Sequence, residues 1–181
     1  MCEFLPDIKL NKKLKDMSHT KLNNETIRKL IKHKYLTNIE NWDVSGVTDM
    51  SYMFIDLHNF NKDISQWNVS NVTVMFYMFS GCTKFNQYIG NWNVSNVINT
   101  SDMFYGCYYF DQDISEWDIS NVINTSSMFH SCYKFNQYTG NWDVSKVTNI
   151  SYMFDSYSEF NIDNINNWDN WNIYIETEFI N

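Results

Sequence analysis

Apolar and polar positions alternate in this chain on a fixed interval. "NWDVSGVTDMSYMF" at 41–54 returns as "QWNVSNVTVMFYMF" at 66–79, "NWNVSNVINTSDMF" at 91–104, "EWDISNVINTSSMF" at 116–129 and "NWDVSKVTNISYMF" at 141–154. Trp42, Trp67, Trp92, Trp117 and Trp142 therefore recur every 25 residues, as do Phe54, Phe79, Phe104, Phe129 and Phe154, each preceded by Met. A second Phe column runs 60, 85, 110, 135, 160, and an Ile column at 64, 89 and 114 is interrupted by Thr139. One such unit cannot bury its own apolar side, but units laid on one another share a continuous core, with equivalent residues stacked at roughly 4.8 Å. The Trp and Phe columns are predicted to be core ladders.

The rhythm inside each unit predicts its elements. "ISQWNV" at 64–69 and "ISEWDI" at 114–119 are apolar at the first, fourth and sixth places. That pattern suits a short strand with Trp67 and Val69 inward and Gln66 and Asn68 outward. From Ser70 to Phe79 the apolar residues Val72, Met75 and Met78 come every three positions, which suits turns or 3₁₀-like coil on the opposite side. The predicted fold is a repeat solenoid of leucine-rich-repeat type, with short parallel β strands stacked in five to six coils and a helical N-terminal cap. Its expected parts are a basic arm over 1–21, a capping helix over 22–38, five repeats over 39–165, and a C-terminal cap over 166–181. In that last part "NIYIETEFI" at 172–180 reads as a closing strand.

An open stack exposes core at its ends, so a cap is required. "LNNETIRKLIKHKYL" at 22–36 supplies one: Asn23 is a good N-cap, Leu22 and Ile27 can form a hydrophobic staple, and Glu25 falls in the first turn. Ile27, Leu30 and Ile31 make its apolar face. Residues 1–20 show no period and are expected to be an arm that orders only on a partner.

"FNKDISQWNVSNVTVMFYMFSGCTKFNQYIGNWNVSNV" resembles the BspA-like leucine-rich repeat, whose signature is W-x-V-S-x-V-x-x-M-x-x-M-F. The resemblance covers about residues 39–165 and implies a binding scaffold of the kind found in bacterial surface proteins, protists and large DNA viruses, linked to adhesion or host contact and carrying no enzymatic activity.

Charge divides the chain unevenly. Residues 1–34 hold nine of the thirteen Lys and Arg and four of the twenty-one acids, a balance of +5, and the rest carries −13. An acidic body repels nucleic acid, whose binding depends on neutralised phosphates. No apolar run approaches the roughly 18 residues of a membrane span, and the N-terminus lacks the apolar core of a secretory signal. The expected location is cytoplasmic or virion-associated rather than classically secreted. Aromatic content is high at 18%, and the Trp and Phe ladders hold 15 of those 32 residues.

Candidate chemistry is sparse. Cys82, Cys107 and Cys132 form another column, read as small buried fillers, since three is an odd number and a straight column cannot surround zinc. His19, His33, His58 and His130 pair with no repeated Ser or Cys. The Ser column is read as bonding the backbone where each strand ends. No catalytic, cofactor-binding or metal-binding residues are expected, and no cofactor. A further period of 50 residues places Asp63, Asp113 and Asp163 in alternation with Tyr88 and Tyr138. Duplication of a two-coil unit accounts for it.

What remains is a surface. The outward residues of the predicted strands, Gln66, Asn68, Asn91, Asn93, Glu116, Asp118, Asn141 and Asp143, are all polar and form the candidate face for a basic or polar protein partner. A structural component with neighbours in an assembly such as a virion is one alternative. A carbohydrate-binding or adhesin module, suggested by Tyr88, Tyr138, Tyr108 and Tyr109, is the other.

Overall fold

A computed structural model describes residues 8–154 and 160–168. The 25-residue units do lie on one another, but they are not built from strands. Among the described residues there is no β-strand; adjacent coils are joined by single parallel bridges, Asp49–Val74, Val74–Asn99, Asn99–Asn124 and Asn124–Asn149. The predicted solenoid of short parallel β strands is therefore corrected to a stack of coils made of turns. We number these coils one to five, beginning at Asn41, Gln66, Asn91, Glu116 and Asn141.

The reason is visible at the segment where strands were expected. Trp67 and Val69 are buried, and Gln66 and Asn68 are exposed. Yet the Trp67 N–H donates back to the Ile64 carbonyl (3.1 Å) and the Val72 N–H to the Val69 carbonyl (2.8 Å). Turns close at both ends of this extended stretch, leaving no run of backbone donors free to form a ladder.

The backbone ladder lies on the other side of the coil. The N–H groups of Met50, Tyr52, Phe54 and Asp56 donate to the carbonyls of Val74, Phe76, Met78 and Ser80 in the next coil, at 2.8–3.1 Å. Between them, the N–H groups of Met53, Ile55 and Leu57 donate within their own coil to Met50, Tyr52 and Phe54. This alternation needs two left-handed residues per coil. One column of them is Tyr52, Tyr77, Asp102, Ser127 and Tyr152 (φ 52–58°), and the other is Asp56, Gly81, Gly106 and Ser131. Strand dihedrals would forbid both, so the segment is a ladder of turns.

Inside, each coil pairs its two phenylalanines face to face, Phe79 on Phe85 at 4.1 Å and Phe104 on Phe110 at 4.2 Å. The pairs then stack from coil to coil, Phe79–Phe104 and Phe104–Phe129 both at 5.6 Å. The tryptophans are buried and do more than fill space. The indole Nε1–H of Trp67 donates to the Ile39 carbonyl (2.9 Å), Trp92 to Ile64, Trp117 to Ile89 and Trp142 to Ile114 (3.0–3.2 Å). Each of these carbonyls already accepts a backbone N–H, as Ile64 does from Trp67, so the indole adds a second bond that ties one turn of the stack to the next, which no purely apolar residue could supply.

Trp168, displaced by one residue in sequence, continues the column. It stacks on Trp142 at 6.1 Å and donates to the Thr139 carbonyl at 2.9 Å. A 3₁₀ turn, Ile162–Ile165, absorbs the extra residue. The closing strand expected at 172–180 lies outside the described residues.

Two helices cap the first coil. Helix α1 spans Ile8–Ser18 and α2 spans Asn24–Lys32. Asn23 caps α2 through its side chain, accepting from the Thr26 N–H at 3.0 Å while Thr26 Oγ1 accepts from the Asn23 N–H at 2.9 Å. Helix α2 also stands in for a missing coil. Asn24 Oδ1 accepts from the N–H groups of Thr48 and Asp49, and Arg28 donates to the Ser51 carbonyl (2.9 Å) and pairs with the Asp49 carboxylate (2.9 Å). Helix α1 occupies the region expected to be an arm without regular structure; Leu14 is buried and Met17 packs against the core. Leu10, Leu14 and Met17, spaced four and three residues apart among lysines, carried that signal.

Candidate interaction surface

The eight predicted face residues are all exposed and form two adjacent rows along the stack. One row is committed to the fold. Asn68, Asn93, Asp118 and Asp143 each accept the backbone N–H of the serine two residues later, at 3.0–3.2 Å, in an Asx turn. Asp43 does the same for Ser45 in the first coil. The serine hydroxyls of 45, 70 and 95 add a second bond of 2.6–2.7 Å. The repeated serine is thus structural, but its partner is the Asx side chain rather than the backbone. The Ser120 hydroxyl and amide hold the Asp118 carboxyl below the usual carboxylate range, and Ser145 does so for Asp143.

The other row is freer. Asn91 donates to the Ser65 carbonyl (2.9 Å), as do Asn71, Asn96 and Asn121 to the serine carbonyls of the coil before. Among the described residues, the Gln66 side chain reaches only the neighbouring Ser65 hydroxyl. Glu116 and Asn141 make no hydrogen bond among the described residues.

A second set of side-chain bonds escaped the sequence reading. Asn61, Asn86, Asp111 and Asn136 each accept the backbone N–H 25 residues later, at 2.8–3.1 Å. The first three also accept from Gln87, Gln112 and Gln137. The repeated "FNQ" and "FDQ" carried this signal, but nothing local shows that the partner lies one coil away.

The 50-residue period has a geometric basis. In coils with Asp63 or Asp113, the carboxylate caps Ser65 or Ser115 in another Asx turn. In the alternate coils the ring of Tyr88 or Tyr138 folds over the glycine two residues later. A Cβ at Gly90 would meet the Tyr88 ring at 2.8 Å and the Asp113 carbonyl at 2.3 Å; one at Gly140 would meet the Tyr138 hydroxyl at 2.5 Å. Asp-x-Ser and Tyr-x-Gly are two ways to make one corner.

Large apolar groups with no such duty gather on the ladder side of coils three and four. Ile98, Tyr105, Tyr108, Tyr109 and Ile123 are 40–58% exposed; the residues equivalent to Ile98 and Ile123 in the neighbouring coils are Thr48, Thr73 and Thr148. Tyr105 stacks on His130 at 4.6 Å and Tyr108 on Tyr133 at 4.9 Å. Beside them, burial raises the Asp102 carboxyl above its ordinary value, partly offset by the Tyr77 hydroxyl and His130. Burial and the nearby Asp102 charge push the Tyr77 hydroxyl up as well.

Reactive chemistry is absent from the cysteine column. The three thiols are buried and donate to the carbonyls of Phe54, Phe79 and Phe104 at 2.9–3.1 Å. Burial pushes the Cys82 thiol up to about 12, and those of Cys107 and Cys132 upward too. His58 Nδ1 lies 2.8 Å from the Gly81 carbonyl, while His19 and His33 lie exposed on the cap. No group of three or more His, Cys, Asp or Glu that could hold a metal ion occurs among the described residues. None of their helices is long and apolar enough to cross a membrane.

The structure thus defines a repeat protein whose turn-built coils are joined by backbone and side-chain hydrogen bonds. The chain belongs to the family described as Mycoplasma protein of unknown function, DUF285, whose model matches residues 21–139 and again 111–179. That family is not the BspA-like leucine-rich repeat family, so the assignment suggested by W-x-V-S-x-V-x-x-M-x-x-M-F is corrected. Neither a curated protein nor a solved structure matches the chain.

Proposed function

We propose that this protein is a non-enzymatic scaffold that binds another protein through the ladder side of coils three and four. One observation carries the reading: Ile98, Tyr105, Tyr108, Tyr109 and Ile123 are large and exposed on two adjacent coils, a denser group than Tyr52 and Ile55 on coil one or Tyr152 on coil five. Tyrosines and aliphatic groups gathered in this way supply the anchors of protein interfaces. Asp102 beside them and the −13 charge of residues 35–181 favour a partner with a basic or polar surface.

The test compares wild-type protein with Tyr105→Ala/Tyr109→Ala and with Glu116→Lys in binding to partner captured from the native source. The tyrosine variant should lose binding by about tenfold or more while its urea midpoint stays near wild type. Glu116→Lys should weaken binding less, and mainly at low salt. Undiminished binding by the tyrosine variant overturns the reading. Saturable binding on a glycan array, lost in the same variant, would replace it with carbohydrate recognition.

A further inference from the structure

The cap carries a feature that covering the first coil does not require. Between α1 and α2 lies a cleft of about 280 Å³, lined by Lys13, Leu14 and Met17 from α1 and by Lys29, Lys32 and His33 from α2. Three ammonium groups and an imidazole border one small space with an apolar floor. The four side chains are exposed, and gathering like charges round one cleft leaves a local positive potential that an anion would relieve.

Structural duties account for only part of this charge. Lys29 and Lys32 lie in the last turn of α2, where cations offset the helix dipole, and Lys29 pairs with Glu25. Lys13 stands within α1 and has neither role. Arg28 takes no part, being engaged by Asp49 and Ser51. Among the described residues, neither Lys13 nor Lys32 forms an ion pair, so Glu25 is the one carboxylate paired with a lysine of the cleft. The cleft therefore holds a surplus of two positive charges.

We infer that the cleft between α1 and α2 binds a phosphate group, with Lys13 and Lys32 as its principal charge partners and Lys29 and His33 as further donors. A phosphate carries close to two negative charges at neutral pH and offers several acceptor oxygens, which lysine meets as a point charge. The small volume admits one such group, and the acidic coils behind the cap repel an extended polyanion. The group could arrive on a free phosphorylated small molecule or as a lipid headgroup. The inference is independent of the tyrosine surface, which lies on coils three and four.

Full-length protein is titrated at low salt with pyrophosphate by calorimetry and, separately, sedimented with phosphatidylcholine vesicles that contain phosphatidic acid. Binding at one site per chain is expected, weakened about tenfold or more in Lys13→Gln/Lys32→Gln and unchanged in Lys62→Gln/Lys84→Gln, whose lysines lie on the coils. Pyrophosphate binding without sedimentation assigns the site to a soluble ligand. Sedimentation that pyrophosphate competes away assigns it to a headgroup. No binding of either probe, or equal loss in the two double variants, overturns the site.

Discussion

The two sides of each coil solve one problem by different means. On the ladder side, backbone groups join coil to coil, Met50 to Val74, Tyr52 to Phe76 and so on along the stack. On the other side the joining falls to side chains, indoles to carbonyls and asparagines to serine carbonyls, while Asx residues fix the serine turns within each coil. A backbone bond is indifferent to the residue that makes it; a side-chain bond is not. The left-handed column on the ladder side can therefore read Tyr, Tyr, Asp, Ser, Tyr, while Trp and Ser on the other side recur without exception. Surface variation that could specify a partner is freer on the side where the backbone holds the coils.

Substitutions at paired positions can break this comparison. The largest effect is expected at Trp92, where Ala removes a ladder ring and should cost about 3–5 kcal/mol. Trp92→Phe refills most of the space and leaves the Ile64 carbonyl with the Trp67 N–H alone, for a loss of about 0.5–1.5 kcal/mol. Tyr105→Ala, on the ladder side, should change stability by less than about 0.5 kcal/mol. Urea titration of the three variants checks the order, and equal losses at 92 and 105 would end the distinction.

A gain of about 1 kcal/mol is expected from Thr139→Val. Thr139 is fully buried in the Ile column, and its hydroxyl has no partner among the described residues. Valine keeps the shape and removes the polar group. A fall in melting temperature would mean that the hydroxyl is satisfied.

The smallest effects separate the two rows of the side-chain-held face. Asp118→Ala should cost about 0.5–1 kcal/mol by opening its Asx turn, whereas Glu116→Ala should stay within about 0.5 kcal/mol. The pH dependence adds a sign. Ser120 lowers the folded-state value of Asp118, so its contribution is present above the unfolded value of about 3.9 and is lost as pH falls through the lower folded value. Asp102 behaves oppositely: burial raises its folded value, so its contribution favours the fold at low pH and is lost as pH rises through that value. Urea midpoints of Asp118→Asn and Asp102→Asn across acid pH should shift in opposite directions relative to wild type.

Much of the core was legible because every ladder residue repeats. Trp92, Phe104 and Phe129 are buried where the interval places them. The secondary structure was not legible, because an alternation such as Ile64, Trp67, Val69 describes which side chains face inward and is silent on where backbone N–H groups point. The left-handed turns were hidden as well, since Tyr52 and Tyr77 are not residues that announce a positive φ. On the surface, the exposure of Asp118 was evident, but its bond to Ser120 looked like any D-x-S pair. Lys13 and Lys32 became neighbours of one cleft only once α1 was seen to fold.

The alternating corners have a consequence for how such a chain changes length. Because Gly90 lies under the Asp113 carbonyl, a Tyr-x-Gly coil is fitted to the Asp-x-Ser coil that follows it. The interchangeable module is the pair of coils. The near-identity of "CTKFNQYIGNW" and "CYKFNQYTGNW" shows that two such modules still read alike. Unequal recombination between tracts of DNA encoding them would insert or delete whole pairs in frame, leaving every junction between surviving coils as it was. Related genes should accordingly differ in length by multiples of one pair, with the segment encoding the cap unchanged.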